Sequence, residues 1–205
     1  LVIKGGRVFD PGVGLDGQMD IAITKGKIER IAPDIPVTED QRYIQAKGRY
    51  VTPGLIDIHC HLYSGFMRSG ISPDLAGVQA GVTTVVDAGS AGSNTAAGIA
   101  RLAAQSKTRT IVFLNIGRMG LVMPDVRDPS DIDLAATIQA IEANRDVIQG
   151  VKVRAVGPAI ASMGMEFIRL AKKAADETRT KVMVHIGDAE SNNPPLTRQL
   201  LPLLT

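Results

Sequence analysis

Tryptophan is missing from this 205-residue sequence, tyrosine and phenylalanine number only three and four, and there is a single cysteine, Cys60. One thiol cannot build a disulfide framework or a cysteine-rich zinc module, and it suits a reducing, cytoplasmic setting. So few rings give nucleic-acid bases little to stack on, and 23 basic residues against 21 acidic ones leave a net charge of only +2. Nucleic acid is therefore not an expected partner. Long apolar runs are lacking too: none reaches the roughly 18 residues of a membrane helix, and the N-terminus does not read as a signal peptide. What remains is ordinary for a globular chain, 44% hydrophobic and 21% charged, too apolar for disorder. At roughly 100–200 residues per domain, the length suggests one domain or one with a small appendage.

Texture divides the chain. Residues 1–52 read as short strands at 1–3, 7–9, 20–24, 27–31 and 42–45, with turns at Gly5-Gly6 and Lys25-Gly26-Lys27. This is expected to be a small β-sandwich-like module, marginal alone and incomplete without a C-terminal segment. From residue 53 to 205, strand-like runs at 55–61, 83–87, 110–116, 150–154 and 181–186 alternate with helical stretches at 74–80, 94–105, 131–146, 159–177 and 195–203. Ser93 is placed to cap the second helix, and Ser130 with Asp133 resembles a capping box for the third. Five such alternations predict a parallel α/β sheet with helical crossovers. His59 to His185, the ends of the first and fifth strands, is 126 residues over four repeats. Eight repeats of that size would need about 250 residues, the usual length of a (β/α)8 TIM barrel. Residues 53–205 are thus either an open five-stranded sheet or the first five units of a barrel.

The residues with chemistry favour the barrel. In the run from Pro53 to His61 (P-G-L-I-D-I-H-C-H), strand alternation puts Asp57, His59 and His61 on one face and Cys60 on the other. Two imidazoles two residues apart can grip one metal ion, with Asp57 touching the ion or orienting a ligand. The same His-x-His pair also arises by chance in loops. Lys152 alternates with valines in Gly150-Val151-Lys152-Val153-Arg154. Aimed into a barrel it needs a strong partner; near a strand end it can instead snorkel to solvent. A lone His185 is ordinarily a core residue. Yet the chain has only three histidines, and all three fall at C-terminal ends of expected parallel strands, the rim where barrel enzymes carry their sites.

Together with the run G-V-T-T-V-V-D-A-G-S at 81–90, these features resemble the amidohydrolase superfamily, specifically the N-terminal portion of its dihydroorotase-like and deacetylase branch. The resemblance implies a barrel holding two divalent metal ions, zinc above all. His59 and His61 match the ligands of the more buried ion. Lys152 matches the lysine that reacts with CO2 and bridges both ions as a carbamate, and His185 matches a ligand of the second ion. It also implies attack by a metal-bridging hydroxide on an amide or ester acyl bond of a small-molecule substrate. Dihydroorotases carry Arg two residues after the His pair; Tyr63 stands there, and Asp87–Ser93 (D-A-G-S-A-G-S) points instead to deacetylation of N-acyl amino acids or O-acyl hydroxy acids. The alternatives are a cyclic-amide hydrolase of dihydroorotase or hydantoinase type and a non-catalytic scaffold of the same fold, with a homo-oligomer possible in either case. The family's general-base Asp is expected beyond Thr205, which would leave these 205 residues incomplete and inactive as a catalyst. Tyr63, Asn115, Arg118 and Arg154, with Arg68, are candidate substrate-binding residues. Asp87 is expected only to cap its loop, and Cys60 to be core.

Overall fold

Residues 1–123, 126–155, 157–186 and 194–204 are described by a computed structural model and fall into two units, Leu1–Leu55 and Ile56–Thr205. In the first unit β1 (Val2–Asp10) pairs antiparallel with β2 (Leu15–Thr24), which pairs antiparallel with β3 (Lys27–Ala32). The short β4 (Tyr43–Gln45) and β5 (Tyr50–Val51) add parallel to β1, so the described strands make one mixed sheet. Lys25 and Gly26 both take positive φ, 50° and 76°, the geometry of a two-residue hairpin turn. Gly5-Gly6 is not a turn. It is a bulge inside β1, where the register shifts between Ile3 and Gly6 and Gly5 takes φ 67°. A Cβ on Gly6 would lie 2.5 Å from Val51 Cγ2, so glycine lets β5 approach. Asp20 is buried beside the bulge, accepting from Gly5 N (2.7 Å), Ile35 N (2.8 Å) and Lys4 Nζ (2.5 Å).

The second unit is a curled parallel sheet of β6 (Ile56–Cys60), β7 (Thr84–Ala88), β8 (Arg109–Asn115), β9 (Ile148–Ala155) and β10 (Lys181–Ile186). Each strand lies beside the one before it. A doubly wound sheet reverses its order at a switch point; this sheet has none, which is the order of a barrel wall. The connections carry α1 (Pro73–Ala76) with a 3-10 turn at Val78–Ala80, α2 (Ala96–Ala104), α3 (Leu134–Ala143), α4 (Gly157–Met163), α5 (Glu166–Thr178) and α6 (Pro194–Leu204). α5 shows why such helices dock. Phe167, Ile168, Ala171, Ala174, Ala175 and Thr178 form one buried stripe, while Lys172 pairs with Asp176 on the solvent side.

Three local expectations change. The helix expected at 159–177 is broken at Gly164, whose φ of 58° no helix interior allows. α3 starts later than expected and is capped by Asp133, which accepts from Ala136 N; Ser130 belongs to a 3-10 turn capped by Asp128. Ser93 is not the cap of the second helix, its hydroxyl being buried without a partner among the described residues.

Candidate active site

The C-terminal ends of β6, β9 and β10 bring His59, His61, Lys152, Arg154 and His185 around one cavity of about 160 Å3, completed by Met67, Ser69, Ala88 and Leu121. The His59 ring lies 5.5 Å from that of His61 and 6.4 Å from that of His185, centroid to centroid. His59 sits where the β6–β7 register breaks between Asp57 and Cys60. There the Asp57 carboxylate turns back to accept from His59 N (3.0 Å) and from the Cys60 thiol, a brace for the strand end rather than part of the cavity lining. Cys60 packs with Leu62 and Val85, and burial followed by Asp57 pushes its thiol up to about 12, so it is an inert core residue.

Lys152 is 1% exposed and forms no ion pair among the described residues. Burial first, then the charge of Arg154, bring its amine down to about 8 against the pull of Asp87. Its room comes from Gly89, at φ 86°, where a Cβ would lie 2.6 Å from Lys152 Cγ. Partial burial and the neighbouring Lys152 charge lower His59, and the same two causes plus Arg154 lower His61, so both rings favour the neutral state that metal ligation requires. Asp87 is fully buried and accepts from Leu62 N and Ser90 N, both at 2.7 Å. Burial pushes its carboxyl up, and bonds from the Ser90 hydroxyl and the Leu62, Ser90 and Gly89 amides oppose that rise. Beyond capping its loop, Asp87 therefore ties that loop to the end of β6. The loops after β7 and β8 are laced together by Asn94 N to Arg118 O, Asn115 N to Ala91 O and Leu121 N to Ser90 O.

A profile of the Amidohydrolase family matches residues 50–193, a span holding His59, His61, Lys152, Arg154 and His185. The chain belongs to the amidohydrolase family. A Brucella anthropi protein named a deacetylase is 36% identical over 195 residues, which is 92% of this chain and 48% of that protein. Among solved structures, a dihydroorotase superposes with a TM-score of 0.86 at 31% identity, covering 100% of this chain and 54% of its own. An adenine deaminase gives 0.84 at 33%, covering 98% and 53%. This amidohydrolase chain thus spans about half the length of the relatives it matches, and its second unit is five βα units of a TIM barrel.

The amidohydrolase donor set fits divalent metal. Two imidazoles sharing one tetrahedral ion at about 2.0 Å per bond hold their ring centres about 5 Å apart. The 5.5 Å between His59 and His61 suits that, whereas the 6.4 Å between His59 and His185 exceeds it. Among the described residues no three His, Cys, Asp or Glu side chains group about one ion.

The remaining candidates divide. Arg154 lines the cavity. Tyr63 does not: it is 2% exposed in the apolar core, stacked on Phe66, with its hydroxyl donating to Thr95 O (3.1 Å). Its side chain faces the core and not the histidine cavity. Both amide atoms of Asn115 are engaged, Nδ2 donating to Gly89 O and Oδ1 accepting from Gly117 N, so it too holds loops together. Arg118 lines a different cavity, of about 410 Å3, with Arg127 and Asp131. Arg68 is exposed and lines no part of the histidine cavity, though Met67 and Ser69 beside it do. Gly187, expected in a loop after His185, lies outside the described residues. Gly89 and Ser90 join the site from outside the residues that the sequence singles out; their signal is a Gly-Ser pair directly after a buried strand.

Proposed function

We propose that the protein containing this chain is a metal-dependent amidohydrolase that deacylates N-acyl amino acids or O-acyl hydroxy acids. His59 and His61 would hold one divalent ion, His185 a second, and N-carboxylated Lys152 both. The observation carrying this reading is that the chain's three histidines and one buried lysine, with no ion pair among the described residues, line a single cavity at the strand ends. Divalent ions there, zinc suiting imidazole and carbamate donors, supply a polarised substrate carbonyl and an acidified water. The chain's own part begins at Lys152. Its amine, eased toward neutrality by burial, attacks CO2; a C–N bond forms, one proton leaves to solvent, and the resulting carbamate offers two oxygens where the ammonium offered none. Arg154, on the same wall, pairs with a carboxylate on the substrate.

No carboxylate lines the cavity among the described residues, so the group that carries the proton to the leaving atom is assigned to the rest of the protein. Deacylation is favoured over cyclic-amide hydrolysis by the Brucella anthropi deacetylase similarity. It is favoured also by position 63, whose side chain is turned into the core and cannot present a carboxylate-binding group. Metal analysis of the full-length protein is expected to find two divalent ions per chain. Its mass under native conditions should exceed that of the polypeptide and metals by one CO2, a gain lost in Lys152→Ala. Absence of metal with all four residues intact would overturn the reading. A panel of N-acetyl amino acids, acetylated hydroxy acids, dihydroorotate and hydantoins decides the substrate class; turnover of the cyclic amides alone would replace deacylation.

A further inference from the structure

Asp87 and Ser90 are both completely buried, yet neither lines the cavity. Ser90 Oγ stands 3.2 Å from His61 Nδ1 and is itself hydrogen-bonded to Asp87. Asp87 already receives the amides of Leu62, Gly89 and Ser90. With three backbone amides already directed at it, Asp87 serves as the acceptor, so the one hydrogen of the Ser90 hydroxyl goes to Asp87. The Ser90 oxygen is then left with lone pairs toward His61, and only an Nδ1–H can satisfy it. A neutral imidazole that carries its hydrogen on Nδ1 has its lone pair on Nε2.

We propose that Ser90, anchored by Asp87, is a positioning residue that fixes His61 as the Nδ1–H tautomer and reserves Nε2 for the metal. Two further contacts hold the device in place. Leu62, directly after His61, donates its amide to the same Asp87 carboxylate, so the ring and the adjoining backbone are registered to one buried group. On the other side Leu121 N donates to Ser90 O, and a Cβ at Gly120 would lie 2.4 Å from that oxygen, so the loop bearing Ser90 has no room to shift. The inference rests on the reading of His61 as a metal ligand, and it adds how that ligand is kept in its binding form.

The test uses the metal-free full-length protein with 15N-labelled histidine. Long-range 1H–15N correlation should show His61 as the Nδ1–H tautomer, and Ser90→Ala should move it to Nε2–H. In competition with a fluorescent chelator, zinc affinity should fall about 10–100-fold in Ser90→Ala and return in Ser90→Thr. Ser90→Cys, nearly the same size and a poor acceptor, gives the same readout if the alanine variant packs badly. An Nε2–H tautomer in the unaltered protein, or equal zinc affinity with and without the hydroxyl, would overturn the positioning role. Absence of zinc binding by the unaltered protein would instead overturn the metal reading itself, and the positioning role with it.

Discussion

Asp20 illustrates how one buried carboxylate can organise its surroundings. Burial alone would raise its pKa, but the bond from Lys4 and the amides of Gly5 and Ile35 outweigh it and hold the group below the usual carboxylate range. A group with a depressed folded-state pKa contributes its full stability above its unfolded value, and that contribution is lost as pH falls through the folded value. Asp20→Asn is therefore expected to cost roughly 1–3 kcal/mol at neutral pH, with the gap to the unaltered protein closing below about pH 4. Urea midpoints across a pH series check this; a gap that stays constant into acid would show that charge plays no part. Nothing in the sequence near Asp20 announced this role, because its partners come from positions 4, 5 and 35. The site is similar. His59, His61, Lys152 and His185 were legible because strand alternation and scarcity single them out. Gly89 and Ser90 were not, because their importance depends on Lys152 and His61 lying across a strand boundary that only the folded sheet creates.

At the level of elements, the five strands of the second unit were legible almost to the residue, since each is a short apolar run bounded by turn residues. Helix ends were less so. Gly164 looks harmless in a helical pattern, and only its left-handed backbone shows that 159–177 is two helices. The segment between β6 and α1 departs from expectation for a related reason. Tyr63 follows the histidine pair closely enough to suggest a site residue, yet the chain bends there and drives its ring against α2. The hydroxyl meets Thr95 O, and a Cβ on Gly98 would lie only 2.1 Å from it. Tyr63→Phe is accordingly expected to lower stability by about 0.5–1.5 kcal/mol with metal content and KM unchanged. Thermal unfolding and steady-state kinetics on the full-length protein separate the two effects. A large rise in KM with undiminished stability would return Tyr63 to the substrate.

On the scale of the whole molecule, the sheet order that identifies the barrel wall also leaves two strand edges to account for. β6 pairs with β7 on one side and β10 with β9 on one side; among the described residues neither has a partner on the other. Around these edges apolar side chains are bare: Ile58 is 67% exposed, and Ile56 and Ile186 are exposed as well. A parallel barrel strand is normally covered on both faces, and a long apolar edge offers unpaired N–H and C=O groups to any neighbour. The relatives, about twice as long, have further chain with which to cover such edges. The 205 residues produced alone are therefore expected to self-associate at micromolar concentration and to bind a hydrophobic dye, whereas the full-length protein should do neither through this surface. Replacing Ile58 with Lys places a charge on the bare edge, the device natural sheets use against edge pairing, and should shift the isolated chain toward monomer. Sedimentation velocity of the isolated chain with and without Ile58→Lys measures this. An isolated chain that is monomeric to begin with would show that the edges of β6 and β10 are already protected by contacts beyond the sheet.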